Sequence, residues 1–187
     1  MVAAVEELAS VAEENSGTTF RSEDDAGVIA RIAAVLEDTP GDTIDLVLAL
    51  DTTQSMEDNI PYLREHLVAM LERVVGAREL VRVGVVYYRD YMEEYLTRRF
   101  DFAADLRAVQ RAVDTIRVAG GRDIPEAVNE ALYTAVTRFY WQADSRLVVL
   151  VGDAPPHPLP RGSITAEMVQ AEAAGYGVKI HTIILPQ

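Results

Sequence analysis

The chain contains no cysteine, which removes disulfides, thiolate nucleophiles and cysteine-based zinc sites in one step. Lysine is nearly absent as well: of 17 basic residues only Lys179 is a lysine, which removes most lysine-dependent chemistry. Positive charge is scarce overall. Thirty acidic residues against those 17 give a formal charge of −13. Nothing in such a chain replaces the counterions condensed on a phosphate backbone, so nucleic acid is excluded as a partner. Adhesion to anionic lipid is disfavoured for the same reason. No apolar run approaches the roughly 20 residues that span a bilayer, so direct membrane insertion is not expected. The first residues carry no basic segment followed by an apolar stretch, and no signal peptide is visible. The compartment stays open: cytoplasmic for a complete chain, extracytoplasmic for a piece of a longer one. Internal repeats, a Walker-type phosphate loop and a Gly-x-Ser-x-Gly elbow are all missing.

What is present suits one packed domain: 187 residues, 49% hydrophobic and 25% charged,. Val2, Val5, Leu8 and Val11 fall on one helical stripe, and Val28, Ile29, Ile32, Val35 and Leu36 on another,. The breaker Asp38-Thr39-Pro40-Gly41-Asp42 then separates an N-terminal helical extension, residues 1–42, from a main domain, residues 43–187,. In the main domain strands and helices alternate. Leu46 to Leu50 and Leu147 to Val151 are almost wholly apolar, as strands covered on both faces are. Val81 to Tyr88 and Val178 to Leu185 are further strands. Glu94 to Phe100, carrying Arg98 and Arg99, reads as a short antiparallel edge strand. Helices are expected over about 60–74, 103–116, 125–139 and 165–174. Alternation of this kind predicts an α/β fold with a doubly wound, mainly parallel sheet. Ligands of such sheets gather beyond the carboxyl ends of the strands.

The residues at those ends are oxygen-rich. Asp51-Thr52-Thr53-Gln54-Ser55 follows the first strand of the main domain, and Arg89-Asp90-Tyr91 the second. Gly120-Gly121-Arg122-Asp123-Ile124-Pro125-Glu126 leads into a helix, and Gly152-Asp153-Ala154-Pro155-Pro156-His157 follows the apolar strand at Leu147. Three carboxylates (Asp51, Asp123, Asp153) and two hydroxyls (Thr53, Ser55) can converge there. Oxygen donors without a soft ligand suit a hard cation, Mg²⁺ first and Mn²⁺ or Ca²⁺ as alternatives.

These segments resemble the metal-ion-dependent adhesion site of von Willebrand factor A domains. Asp51-x-Thr53-x-Ser55 is similar to its first motif. Gly120-Gly121-Arg122-Asp123-Ile124-Pro125-Glu126-Ala127 resembles the second as it stands in many bacterial members, and Gly152-Asp153-Ala154-Pro155-Pro156 the third. The resemblance implies metal ligation by Asp51, Thr53, Ser55, Asp123 and Asp153. It further implies a metal-dependent protein-binding module, not an enzyme, whose open coordination position accepts a partner protein's carboxylate. Gln54, Arg122 and His157 would then border the ligand position, and Asp90 would orient a metal-bound water. Two departures stand out. Gln54 occupies a position usually held by Gly. The family also commonly continues past a strand like the one ending at Leu185 with a helix, a strand and a last helix. The N-terminal helices are expected to cover the sheet in that unit's place.

Plainer readings compete at each position. Ser55 and Asp58 form a capping-box pattern, as do Asp123 and Glu126 around Pro125. Asp153 could accept turn hydrogen bonds, Asp90 could pair with Arg89 on the surface, and a loop histidine such as His157 belongs in solvent. The tyrosines 87, 88, 91 and 95 read as core or strand-face residues and Trp141 as a helix-end anchor. Two functional alternatives remain open. One is a metal-assisted phosphatase or phosphotransferase of haloacid-dehalogenase type, for which Thr53 stands where a second Asp is wanted and Lys179 is the lone lysine. The other is a scaffold with a purely structural metal.

Overall fold

The computed structural model describes residues 2–121 and 125–186. In chain order the elements are α1 (Val2–Glu14), β1 (Thr19–Arg21), α2 (Asp25–Asp38), β2 (Thr43–Asp51), a 3₁₀ turn (Gln54–Met56), α3 (Asn59–Val75), β3 (Leu80–Tyr88) and β4 (Thr97–Ala103). There follow α4 (Leu106–Asp114), α5 (Val128–Thr137), β5 (Ser145–Gly152), α6 (Ala166–Tyr176) and β6 (Val178–Ile184). The six strands form one sheet in the order β1-β6-β5-β2-β3-β4. Every neighbouring pair is parallel except β3–β4. The expected mainly parallel α/β sheet with one antiparallel edge is therefore the observed one. Among the described residues no helix is long and apolar enough to cross a membrane.

The central strands explain the continuous apolar runs. Along β2, Leu46, Leu48 and Leu50 join one core layer with α2, α3 and α4, while Val47 and Ala49 join the other with α1, α5 and α6. The period of two is present but hidden, because both faces are covered. β4 begins at Thr97, three residues later than the sequence suggests. The Arg89 amide bonds to the Leu96 carbonyl and closes the loop first.

The N-terminal segment is more than helical. Residues Thr19–Arg21 pair in parallel with Thr182–Ile184 and add an edge strand, one too short to show an alternating pattern. Leu8 and Val11 of α1 pack on one face of the sheet, and Val28, Ile32 and Leu36 of α2 on the other. Gly17 lets the chain enter between them: a β-carbon there would lie 1.8 Å from the Ile180 carbonyl oxygen. Residues 2–38 thus place a helix, a strand and a helix against β6.

At the opposite end of the sheet from the strand tips, Asp45 is fully buried. Arg82 grips it with two bonds of 2.7 and 2.6 Å, and the Gln142 and Ala143 amides donate at 2.7 and 2.9 Å. Burial alone would raise this carboxyl, but Arg82 and the two amides outweigh it and hold Asp45 below the usual range,.

Candidate metal centre

The chain passes from β2 to β3 on one side and places β5 on the other, so the sheet's switch point lies between β2 and β5. Asp51 ends β2 and Asp153 follows β5, one on each side of that point,. Both are buried, Asp51 completely.

A chain of oxygens joins them. The Thr53 amide and hydroxyl both donate to Asp51 Oδ1, at 2.8 and 2.6 Å. The Thr53 and Ser55 hydroxyls lie 3.1 Å apart, and Ser55 donates to Asp153 Oδ1 at 3.1 Å. These are three oxygen–oxygen links along the chain, but each hydroxyl owns a single proton. With both carboxyls ionised, two protons serve three links, and one pair of oxygens faces lone pair to lone pair. In addition, Asp51 Oδ2 is buried with no hydrogen-bond partner among the described residues, a rare state for such an atom. Burial, opposed by the two Thr53 bonds and reinforced by Asp153, pushes Asp51 up to about 7. Burial also raises Asp153, against the Ser55 bond. The site is short of positive charge, and a proton or a cation relieves it.

Gly152 makes room for the approach of the strands. A β-carbon there would lie 2.4 Å from the Tyr88 hydroxyl and 3.4 Å from Asp51 Oδ2. Tyr88 pairs in register with Asp51. Its hydroxyl is buried without a hydrogen-bond partner among the described residues and held protonated by burial, then by Asp51, Asp153 and Glu126. Sequence reading placed Tyr88 in the core and missed that it closes the floor of the site. The matching position of the two strand ends is the signal that would have found it.

Asp123 and Arg122 lie outside the described residues, but the flanks of their segment are held at the site. Gly120 accepts from the Gln54 amide, and the Ala119 amide donates to Thr52. Gly121, at φ +69°, would drive a β-carbon to 2.7 Å from Thr53 Cβ. On the far side the Glu126 amide donates to the Pro155 carbonyl at 2.9 Å. The second and third acidic segments therefore lie against each other and against the first. Among the described residues no group of three or more His, Cys, Asp or Glu side chains could hold a metal. The described donors are two carboxylates and two hydroxyls.

Several plainer readings give way. α3 starts at Asn59 behind Asp58, which makes no side-chain cap bond, and the Ser55 hydroxyl points to Asp153 instead. α5 starts at Val128 behind Ala127, too far along for Asp123 to cap it. Asp90 does not pair with Arg89 on the surface. It is buried and accepts from His157 Nε2 at 2.5 Å and from Arg161 at 3.1 Å. His157 is likewise buried rather than in solvent, because this pairing ties the loop after β5 to the loop after β3. Gln54 is exposed and donates to Glu57. Trp141 is buried and anchors the end of α5 by donating to the Val136 carbonyl at 2.7 Å. Lys179 pairs in register with Leu147, at the end of β5 remote from Asp153. The one lysine that phosphoryl chemistry could use is therefore at the wrong end of the sheet.

The von Willebrand factor type A domain matches residues 45–184. This chain belongs to that family. An ariadne-like RING finger protein, so named in Acanthamoeba polyphaga mimivirus, is 25% identical over 114 residues, 61% of this chain and 11% of its own length. The chain thus spans about a ninth of that relative. Among solved structures, proximal thread matrix protein 1 of the mussel byssus aligns at 16% identity with a TM-score of 0.53. That alignment covers 75% of this chain and 35% of the mussel protein. The pilus adhesin SpaC of Lactobacillus rhamnosus GG aligns more loosely, at 15% identity and a TM-score of 0.46 over 60% of this chain and 15% of its own. The mussel likeness speaks for the fold. Domains of this family commonly serve in protein–protein adhesion.

Proposed function

We propose that the domain is a metal-dependent protein-binding module. Asp51, Thr53, Ser55 and Asp153 would hold a divalent cation, with Asp123 as a further carboxylate, and Mg²⁺ is favoured over Mn²⁺ or Ca²⁺. The observation that supports this most directly is the proton shortfall along Asp51–Thr53–Ser55–Asp153. A pair of hydroxyls that donate to carboxylates keeps its lone pairs for an electrophile, and Asp51 Oδ2, with no hydrogen-bond partner among the described residues, adds a third oxygen. An all-oxygen set of this kind fits a hard cation. When bound, the cation supplies positive charge and an open position for a carboxylate from a partner protein.

The chain's own residues set how that position behaves. Asp51, Asp153 and Asp123 together outweigh a divalent charge by one, so metal retention is firm and capture of an acidic side chain is weak. Asp90, gripped by His157 and Arg161, steadies the two loops on either side of the opening. Mg²⁺ should raise the melting temperature of the wild-type domain, since a ligand of the native state adds stability. It should leave Asp51→Ala unmoved. A variant that still responds to Mg²⁺ contradicts the assignment. Affinity capture from the source cell, repeated with EDTA, separates a metal-dependent binder from a scaffold in which the metal is only structural.

A further inference from the structure

Arg89 is a buried cation that, among the described residues, has only a long ion pair with an exposed acid. It follows β3 and is 2% exposed. Its Nε has no hydrogen-bond partner among the described residues, and one terminal nitrogen donates to the Arg117 carbonyl. The other lies 3.6 Å from Glu94 Oε2, beyond hydrogen-bond reach,. That Glu94 side chain is 68% exposed and shared with Arg98 at 3.3 Å. The Tyr95 ring, 4.3 Å from the guanidinium carbon, covers one face of Arg89,. Arg82 shows what full compensation looks like in this protein, with two short bonds to one buried carboxylate. A cation as enclosed as Arg89 is normally paired.

Arg89 lines a pocket of about 480 Å³ together with Arg64 and Arg117. Arg64 Nε is also buried and without a hydrogen-bond partner among the described residues, while its terminal nitrogen donates to the Ile116 carbonyl at 2.7 Å. Three arginines and two acids, Glu57 and Glu94, thus line it in a chain whose overall charge is −13. Both acids have other obligations: Glu57 accepts from Gln54, and Glu94 is shared with Arg98. The pocket therefore carries a local excess of positive charge, the reverse of the molecule's average.

We infer that this pocket binds an oxyanion, a carboxylate or phosphate group, through Arg64, Arg89 and Arg117. Guanidinium forks match the paired oxygens of such groups. Glu94 is the weakly held competitor that an incoming anion displaces. The inference is independent of the cation reading, because none of these arginines belongs to the metal centre.

The test titrates the whole chain, stripped of metal on a chelating resin and at low ionic strength, with sodium phosphate and separately with sodium acetate, following backbone amide resonances. Saturable shifts confined to residues 57–64, 89–95 and 116–119 are expected, and the tighter of the two anions names the group. Glu94→Gln should tighten binding about threefold and Arg117→Ala weaken it by at least about as much, the scale of an exposed ion pair. Arg117 is itself exposed and serves the fold through its carbonyl, so its truncation leaves the backbone contacts in place. Glu167→Gln, which removes the same charge from exposed α6, should change nothing. Absence of saturable binding by either anion overturns the inference, as does identical behaviour of Glu94→Gln and Glu167→Gln. Because metal is removed beforehand, loss of the Mg²⁺ response elsewhere neither produces nor hides these outcomes.

Discussion

Asp51→Asn should stabilise the metal-free domain and at the same time abolish its gain from Mg²⁺. In the folded state burial raises the Asp51 carboxyl from 3.8 to about 7, whereas the unfolded chain keeps the ordinary value. Between those two values the unfolded state gives up its proton first, so native stability declines as pH rises from about 4 to about 7 and is level beyond. A shift of ~3 units at about 1.4 kcal/mol each sets a ceiling of ~4 kcal/mol, which water entry and relaxation reduce. Asn has the same shape. Its Oδ1 keeps the two Thr53 bonds, and its neutral amide removes the charge that burial disfavours. Urea unfolding in EDTA at pH 4 and pH 8 isolates the effect. The two proteins should match at pH 4, and the variant should be the more stable at pH 8, by up to ~4 kcal/mol. Adding Mg²⁺ at pH 8 should raise wild type alone. A variant less stable than wild type at pH 8 in EDTA would refute the claim that the site is short of positive charge.

Asp45→Ala should cost about 3–5 kcal/mol in urea unfolding, because it strands Arg82 and the Gln142 and Ala143 amides together, the latter buried,. Since Asp45 titrates below its ordinary value when folded, its contribution is complete above about pH 4 and is lost as pH falls through the folded value, so wild type and Asp45→Asn should converge in acid. Deleting residues 1–41 should leave Asp42–Gln187 aggregated or only partly folded by circular dichroism, since the apolar faces covered by Leu8, Val11, Ile32 and Leu36 would be exposed,. A truncated chain as soluble and stable as the full one would dismiss that structural role. Asp123→Thr, by removing a carboxylate, should weaken Mg²⁺ binding in calorimetry; unchanged or tighter binding would remove Asp123 from the ligand set.

The parallel sheet and the first and third acidic segments were legible early because their signals are local. Leu46 to Leu50 is too apolar for anything but a strand covered on both faces, and Asp51 directly after it has no surface excuse. Local pattern failed where a residue's partner lies far along the chain. Ser55 and Asp58 form a plausible cap, yet the hydroxyl goes to Asp153, 98 residues away. Asp90 and His157 look like loop residues until the two loops are folded side by side. The strand Thr19–Arg21 is invisible because three residues carry no period, and only the open edge of β6 makes them a strand.

Sequence by itself determined the alternation of apolar runs and helical stripes, and with it the order of the oxygen-bearing tips. Those follow from near-neighbour chemistry: covered strands must be apolar, and breakers must sit between elements. Tertiary structure alone decided which oxygens share protons, how far Asp51 is removed from water, and that Arg89 is buried with only a long ion pair to an exposed acid. Such quantities depend on distance through space and on the local dielectric, and residues far apart along the chain set both.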